Sequence, residues 1–108
     1  MSEVYEILAL KYPEHTARRR FESFIAADDH DAPHPIDYFV WVIRNRARTI
    51  VVDTGFDAAE ASKRNRHVIR APAQALAMVG VDAATVDDVV ITHLHYDHAG
   101  TLEAFAKA

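Results

Sequence analysis

Apolar residues fall into short runs divided by polar chain. Residues 4–10 alternate loosely and carry β-branched and aromatic side chains, which predicts a first strand. Residues 13–37 read as a long polar connection that holds three of the four prolines and the cluster Asp28, Asp29, His30, Asp31, Ala32, Pro33, His34, Pro35. A connection of that length is often functional. Residues 38–43 form a nearly continuous aromatic and β-branched run, followed by a polar turn over 44–48 and a second run over 49–53. This predicts a hairpin, and because neither run alternates cleanly its strands are expected to be buried on both faces. Thr54 and Gly55 then break the second strand, the glycine marking a sharp turn or a close approach.

The second half reads as short helices leading into one more strand. Asp57 is placed to cap a helix reaching Lys63, and Pro72 to open another that runs to about Val79 and stops at Gly80. Residues 85–88 lead into a short buried strand over 89–92, and His93 begins where it ends. Residues 102–107 have helix-forming character. No internal repeat, low-complexity tract or linker interrupts the pattern.

With 108 residues the chain supports at most one domain, and its 50% hydrophobic and 26% charged residues are those of an ordinary globular protein. The mix of strands and helices predicts an α/β (α+β) fold. A formal net charge of −4, with no basic cluster carrying interleaved aromatics, gives no footprint for nucleic acid. Arg18, Arg19 and Arg20 are bracketed by Glu14 and Glu22 and read as a solvated face. Without cysteine there is no disulfide framework, and any transition-metal site must use nitrogen and oxygen ligands. The N-terminus lacks the basic start and apolar stretch of a secretory signal, and no run is long enough to span a bilayer. The default expectation is a soluble cytoplasmic protein that does not engage a membrane.

The chemistry concentrates in Thr92-His93-Leu94-His95-Tyr96-Asp97-His98-Ala99-Gly100, where three imidazoles and a carboxylate occupy six positions. On extended chain His93 and His95 point to the same side, with Leu94 and Tyr96 facing away. A turn after His95 would let Asp97 and His98 swing toward a second ion, offering donors that Zn²⁺ accepts. Given seven His and ten Asp, H-x-H-x-D-H arises by chance with probability roughly 0.003. Core or idle loop histidines would explain any one of these, but not three beside a carboxylate at a strand end.

This segment resembles the hallmark of the metallo-β-lactamase-fold superfamily, and residues 50–56, containing Val52-Asp53-Thr54-Gly55, resemble the upstream segment of that fold. The texture of residues 38–43 and 89–100 is most similar to the N-acyl homoserine lactonase branch. The resemblance implies the N-terminal half of an αββα sandwich, a mixed β-sheet with flanking helices, with the second half absent from residues 1–108. It implies that His93 and His95 bind one metal and Asp97 and His98 a second, with Asp97 also assigned the catalytic position. Asp53 would lie beneath the site as a supporting carboxylate, and a strand-end residue bonding its own following turn is a reading equal to a direct catalytic role. Gly55 and Gly100 would serve backbone geometry.

Among the other histidines, His30 and His34 flank Asp31 in a solvated loop, and His15 and His67 are assigned to the surface. Tyr96 is expected to pack beneath the metal loop, and the run around Trp41 to be core. A catalytic zinc usually has three protein ligands and an open position. This segment offers two per metal, and the resemblance places a further histidine for each and a bridging carboxylate in the second half. The chain is therefore expected to be part of a longer enzyme, or to pair with another copy as a homo-oligomer. The implied activity is opening of an ester or lactone, a small-molecule substrate, by a water activated between two zinc ions, a quorum-quenching chemistry. Two rivals stand beside it. One is a non-haem iron site of the persulfide dioxygenase kind, since N/O ligation suits Fe; the same ligands also suit Mn as the metal. The other is a catalytically incomplete fragment.

Overall fold

The computed structural model describes residues 4–15, 36–64, 67–68 and 70–108, with the side chains of all except 13–15 and 67–68. The segment 16–35, with His30, His34, Asp31 and the arginine run, lies outside the described residues, as do the side chains of His15 and His67.

Strand β1 spans Glu6–His15, β2 Ile36–Arg44 and β3 Thr49–Val52. The antiparallel β1–β2 and β2–β3 pairs set Leu8 opposite Val42 and Val42 opposite Val51, so these residues share a face. The β2–β3 turn is built by Asn45, whose side-chain oxygen accepts from the Ala47 and Arg48 N–H groups at 2.9 Å each. That local bonding is why asparagine favours such turns. After β3 come α1 (Ala58–Lys63), the two-residue β4 (His67–Val68), α2 (Pro72–Ala77), a 3₁₀ turn at Ala83–Thr85 and β5 (Asp88–Val90). The final elements are α3 (Tyr96–Ala99) and a 3₁₀ turn at Leu102–Phe105. The sheet order is β4-β1-β2-β3-β5, with β5 parallel to β3. A parallel pair needs a crossover, and the chain from α1 through α2 supplies it.

The helices end where local chemistry dictates. Asp57 accepts from the Glu60 N–H at 2.9 Å and caps α1. Pro72 opens α2, where its missing N–H costs nothing. Gly80 at φ +79° lets Val81 N–H return to the Leu76 carbonyl at 3.0 Å, closing α2 two residues before the expected Val79. Boundaries shift by that much when the last turn tightens.

Two strand expectations change. The first strand runs to His15 rather than Leu10, because Glu14 and His15 pair with β2 while Pro13 and Glu14 pair with β4. Burial on both faces of the hairpin is also corrected. Tyr38, Val40, Val42 and Val51 are buried on one face, in a cluster with Ala61, Ala75 and Leu76 of the helices. Ile7, Trp41 and Val90, on the other face, are 66%, 39% and 50% exposed. Among the described residues the helices cover one side of the sheet, so a pattern apolar on both faces yields one buried and one open face. Trp41, read as core, belongs to the open face. Each buried valine contributes about 1.5–3 kcal/mol of apolar burial, enough to fix the register. Among the described residues no helix is long and apolar enough to cross a membrane.

Candidate metal centre

The site is built where β3 stops. Asp53 takes φ +63°, a left-handed conformation that aspartate tolerates better than most residues, and turns the chain out of the strand. Its N–H bonds the Val90 carbonyl at 2.8 Å, the last link of β3 to β5. From there the carboxylate replaces the ladder, accepting from Thr92 N–H at 2.8 Å and from the Thr92 hydroxyl at 2.9 and 3.0 Å. This handover explains why β5 ends at Val90 rather than at Thr92, and why His93 and His95 sit in a loop instead of on extended strand.

The same carboxylate accepts from His98 Nδ1 at 2.5 Å. Asp53 is 2% exposed. Burial by itself would push its carboxyl up, but bonds from the Thr92 N–H, from His98 and from the Thr92 hydroxyl, with the charge of His98, outweigh this and hold it below the ordinary aspartate value. Asp53 therefore bonds the loop that carries the candidate ligands, not its own following turn.

Residues 54–55 grip residues 98–101. Thr54 N–H bonds the His98 carbonyl at 2.8 Å, its hydroxyl bonds the Gly100 carbonyl, and Gly100 N–H bonds the Gly55 carbonyl at 2.9 Å. The Thr101 hydroxyl donates to the Thr54 carbonyl at 2.6 Å. Both glycines expected to serve backbone geometry sit at this seam. A Cβ on Gly100 would meet the Gly55 carbonyl oxygen at 2.4 Å, and one on Gly55 would lie 2.7 Å from Pro72 Cγ and 2.8 Å from the Tyr12 ring.

The loop above this seam holds the four candidate ligands. The His93 ring lies 4.7 Å from that of His95 and 3.9 Å from that of His98, centroid to centroid. His98 Nε2 lies 3.2 Å from Asp97 Oδ2. His93 and His95 are exposed, as is Leu94 between them. Tyr96 turns inward, its ring 5.2 Å from that of Phe56 and its hydroxyl 3.3 Å from that of Tyr38. The Arg64 guanidinium sits 3.7 Å over the Tyr96 ring. Below, Tyr12 donates to the Asp97 carbonyl at 3.1 Å, and burial, then the Asp97 charge, pushes its hydroxyl well above the ordinary tyrosine range.

The donor set fits a metal in its chemistry. With Nδ1 of His98 committed to a carboxylate, the Nε2 lone pair points away, the second-layer arrangement metal-ligating histidines usually have. His98 Nε2 and Asp97 Oδ2 face each other at the distance of a direct ion pair. Among the described residues, no three His, Asp or Glu side chains converge on one ion position. The structure thus brings the three rings and Asp97 together without assembling a three-ligand cage.

Sequence reasoning missed Thr92, Thr54, Thr101 and Tyr12. Thr92 was read only as a strand end and Thr54 only as a strand breaker. Their polarity beside an apolar run was the available signal. Nothing in the sequence marked Tyr12.

The family model of the metallo-beta-lactamase superfamily matches residues 35–108, and the chain belongs to that superfamily. A curated relative from Bacillus subtilis (strain 168), "Probable metallo-hydrolase YqjP", is 36% identical over 70 residues, 65% of this chain and 19% of that protein. Two crystal structures, of a quorum-quenching N-acyl homoserine lactone lactonase and of a quorum-quenching N-acyl homoserine lactone hydrolase, superpose with TM-scores of 0.65 and 0.67 at 17% identity. Both cover 94% of this chain, which spans 41% and 42% of theirs. The mixed sheet with its flanking helices is therefore the N-terminal part of the metallo-β-lactamase fold.

Proposed function

We propose that the protein works as a metal-dependent hydrolase that opens an ester or lactone ring with two zinc ions. His93 and His95 hold the first ion; Asp97 and His98 hold the second. The observation that carries this reading is the relay from Asp53 through His98 to Asp97, which fixes one imidazole nitrogen and leaves the other beside a carboxylate oxygen. Family membership and the lactonase-like fold support the reaction class. A solved relative, an N-acyl homoserine lactone hydrolase, has the product N-hexanoyl-L-homoserine bound at its catalytic metal center, which supports a lactone as substrate.

Zinc bound there supplies Lewis acidity, activating water near neutral pH and polarising the ester carbonyl. The chain's own part is positioning. Asp53 and Thr92 orient His98, Thr54 holds the backbone that carries it, and the exposed His93–His95 side leaves the site open to a small molecule. Asp97 is the ligand we assign to the catalytic position. The test is lactone opening followed by proton release with the zinc-loaded full-length enzyme. Wild type should turn over, and His95→Ala should lose bound zinc and turnover together. Turnover retained in the variant refutes the proposal.

A further inference from the structure

The pairing of β1 with β2 shifts register between Lys11 and Glu14, so that Tyr12 and Pro13 lie opposite Tyr38 alone. Pro13 has no N–H to give the ladder. The Tyr12 carbonyl instead accepts from Arg70 N–H at 3.1 Å, and the Arg70 guanidinium takes the Lys11 carbonyl at 2.5 Å. A bulge of this kind bends a strand and re-aims a side chain. Here the side chain is Tyr12, which is 0% exposed, sits edge-on to Phe56 at 5.3 Å and lies so close to Gly55 that no Cβ fits between them.

Its hydroxyl reaches the Asp97 carbonyl, 85 residues away, at 3.1 Å. Helix α3 has four residues, so its carbonyls find no later helical N–H and need partners from elsewhere. That of His98, like that of Gly100 just beyond the helix, is taken by Thr54. Tyr12 takes that of Asp97.

We infer that Tyr12 is a positioning residue for the metal loop: its hydroxyl, held by the β1 bulge, sets the rotation of the turn that carries the Asp97 and His98 side chains. The inference rests on the proposed metal reading. It adds a third support, from β1, to those that Asp53 and Thr54 give from the end of β3.

Tyr12→Phe removes the hydroxyl and keeps the ring against Phe56 and Gly55. The probe is Co²⁺, added to wild type, Tyr12→Phe and Tyr5→Phe and followed by its visible absorption. Tyr5→Phe deletes the hydroxyl of a 39% exposed tyrosine just ahead of β1. Tyr12→Phe should bind Co²⁺ about 10-fold more weakly and with an altered band, the size of effect seen when an outer-layer partner of a metal ligand is lost. Tyr5→Phe should match wild type. Equal affinity and spectrum in Tyr12→Phe and wild type, or equal losses in the two variants, overturns the role of Tyr12 alone. Failure of wild type to bind Co²⁺ overturns the metal reading and this inference with it. A second readout needs no substitution: the ¹³Cζ resonance of Tyr12 in the wild-type chain should move when zinc is added, and an unmoved resonance contradicts the inference.

Discussion

The Asp53 carboxylate holds His98 Nδ1 at 2.5 Å across 45 residues of chain, joining the end of β3 to the loop that carries all four candidate ligands. Through this contact a strand-end aspartate becomes part of the candidate site. Asp53 also holds the Thr92 N–H and hydroxyl, so one buried side chain sets both the entry to the loop and the orientation of its last histidine.

Replacing Asp53 by Asn keeps the shape and removes the charge. The substitution should weaken zinc binding by about 10–100-fold, since Thr92 N–H and the His98 ring use different oxygens of Asp53 and the amide leaves one uncharged acceptor for both. It should also cost about 1–3 kcal/mol of stability from an impaired buried network. Zinc competition with a chelator and urea unfolding measure the two effects. Unchanged zinc affinity in Asp53→Asn would show that His98 is oriented without it.

The two left-handed glycines should separate in their tolerance of alanine. Gly80, at φ +79° with open space around its α-carbon, should lose only about 1–2 kcal/mol on substitution. At Gly55 the same backbone cost adds to overpacking against Pro72 and Tyr12, for a loss of about 2–4 kcal/mol. Urea unfolding of Gly55→Ala and Gly80→Ala tests the order. Equal losses would mean that the Tyr12 ring yields without cost.

Acid should act on the metal-free chain through Asp53. Its carboxyl lies below the ordinary value in the folded chain, so the folded state binds fewer protons there than the unfolded state does. The stability it contributes is fully present above the unfolded aspartate value of about 3.9 and is lost as pH falls through the folded one. The groups facing it are His98, Thr92 and, more distantly, Tyr12. Unfolding followed from pH 6 to pH 2 should show a steeper decline for wild type than for Asp53→Asn. Parallel declines would place the acid sensitivity elsewhere.

Much of this architecture was legible in the sequence because it rests on local signals. Asp57 and Pro72 announce helix starts, the polar residues 44–48 announce a turn, and H-x-H-x-D-H announces the metallo-β-lactamase superfamily. Tertiary choices were not legible. Residues 38–43 are apolar on both faces, so their sequence could not reveal that helices cover only the Tyr38, Val40 and Val42 side. The end of β5 depended on a carboxylate 39 residues away, and the aim of Tyr12 depended on a bulge that only pairing with β2 creates. Which of the alternative roles Asp53 plays was equally hidden until His98 was seen against it.

Crystals grown with zinc, with anomalous diffraction recorded at the zinc and iron edges, test the central claim most directly. Zinc peaks are predicted at about 2.0–2.2 Å from the ring nitrogens of His93, His95 and His98 and a carboxylate oxygen of Asp97. No iron signal should accompany them in protein purified without added metal. An empty loop with the three rings splayed apart, or a single iron in place of zinc, would contradict the account.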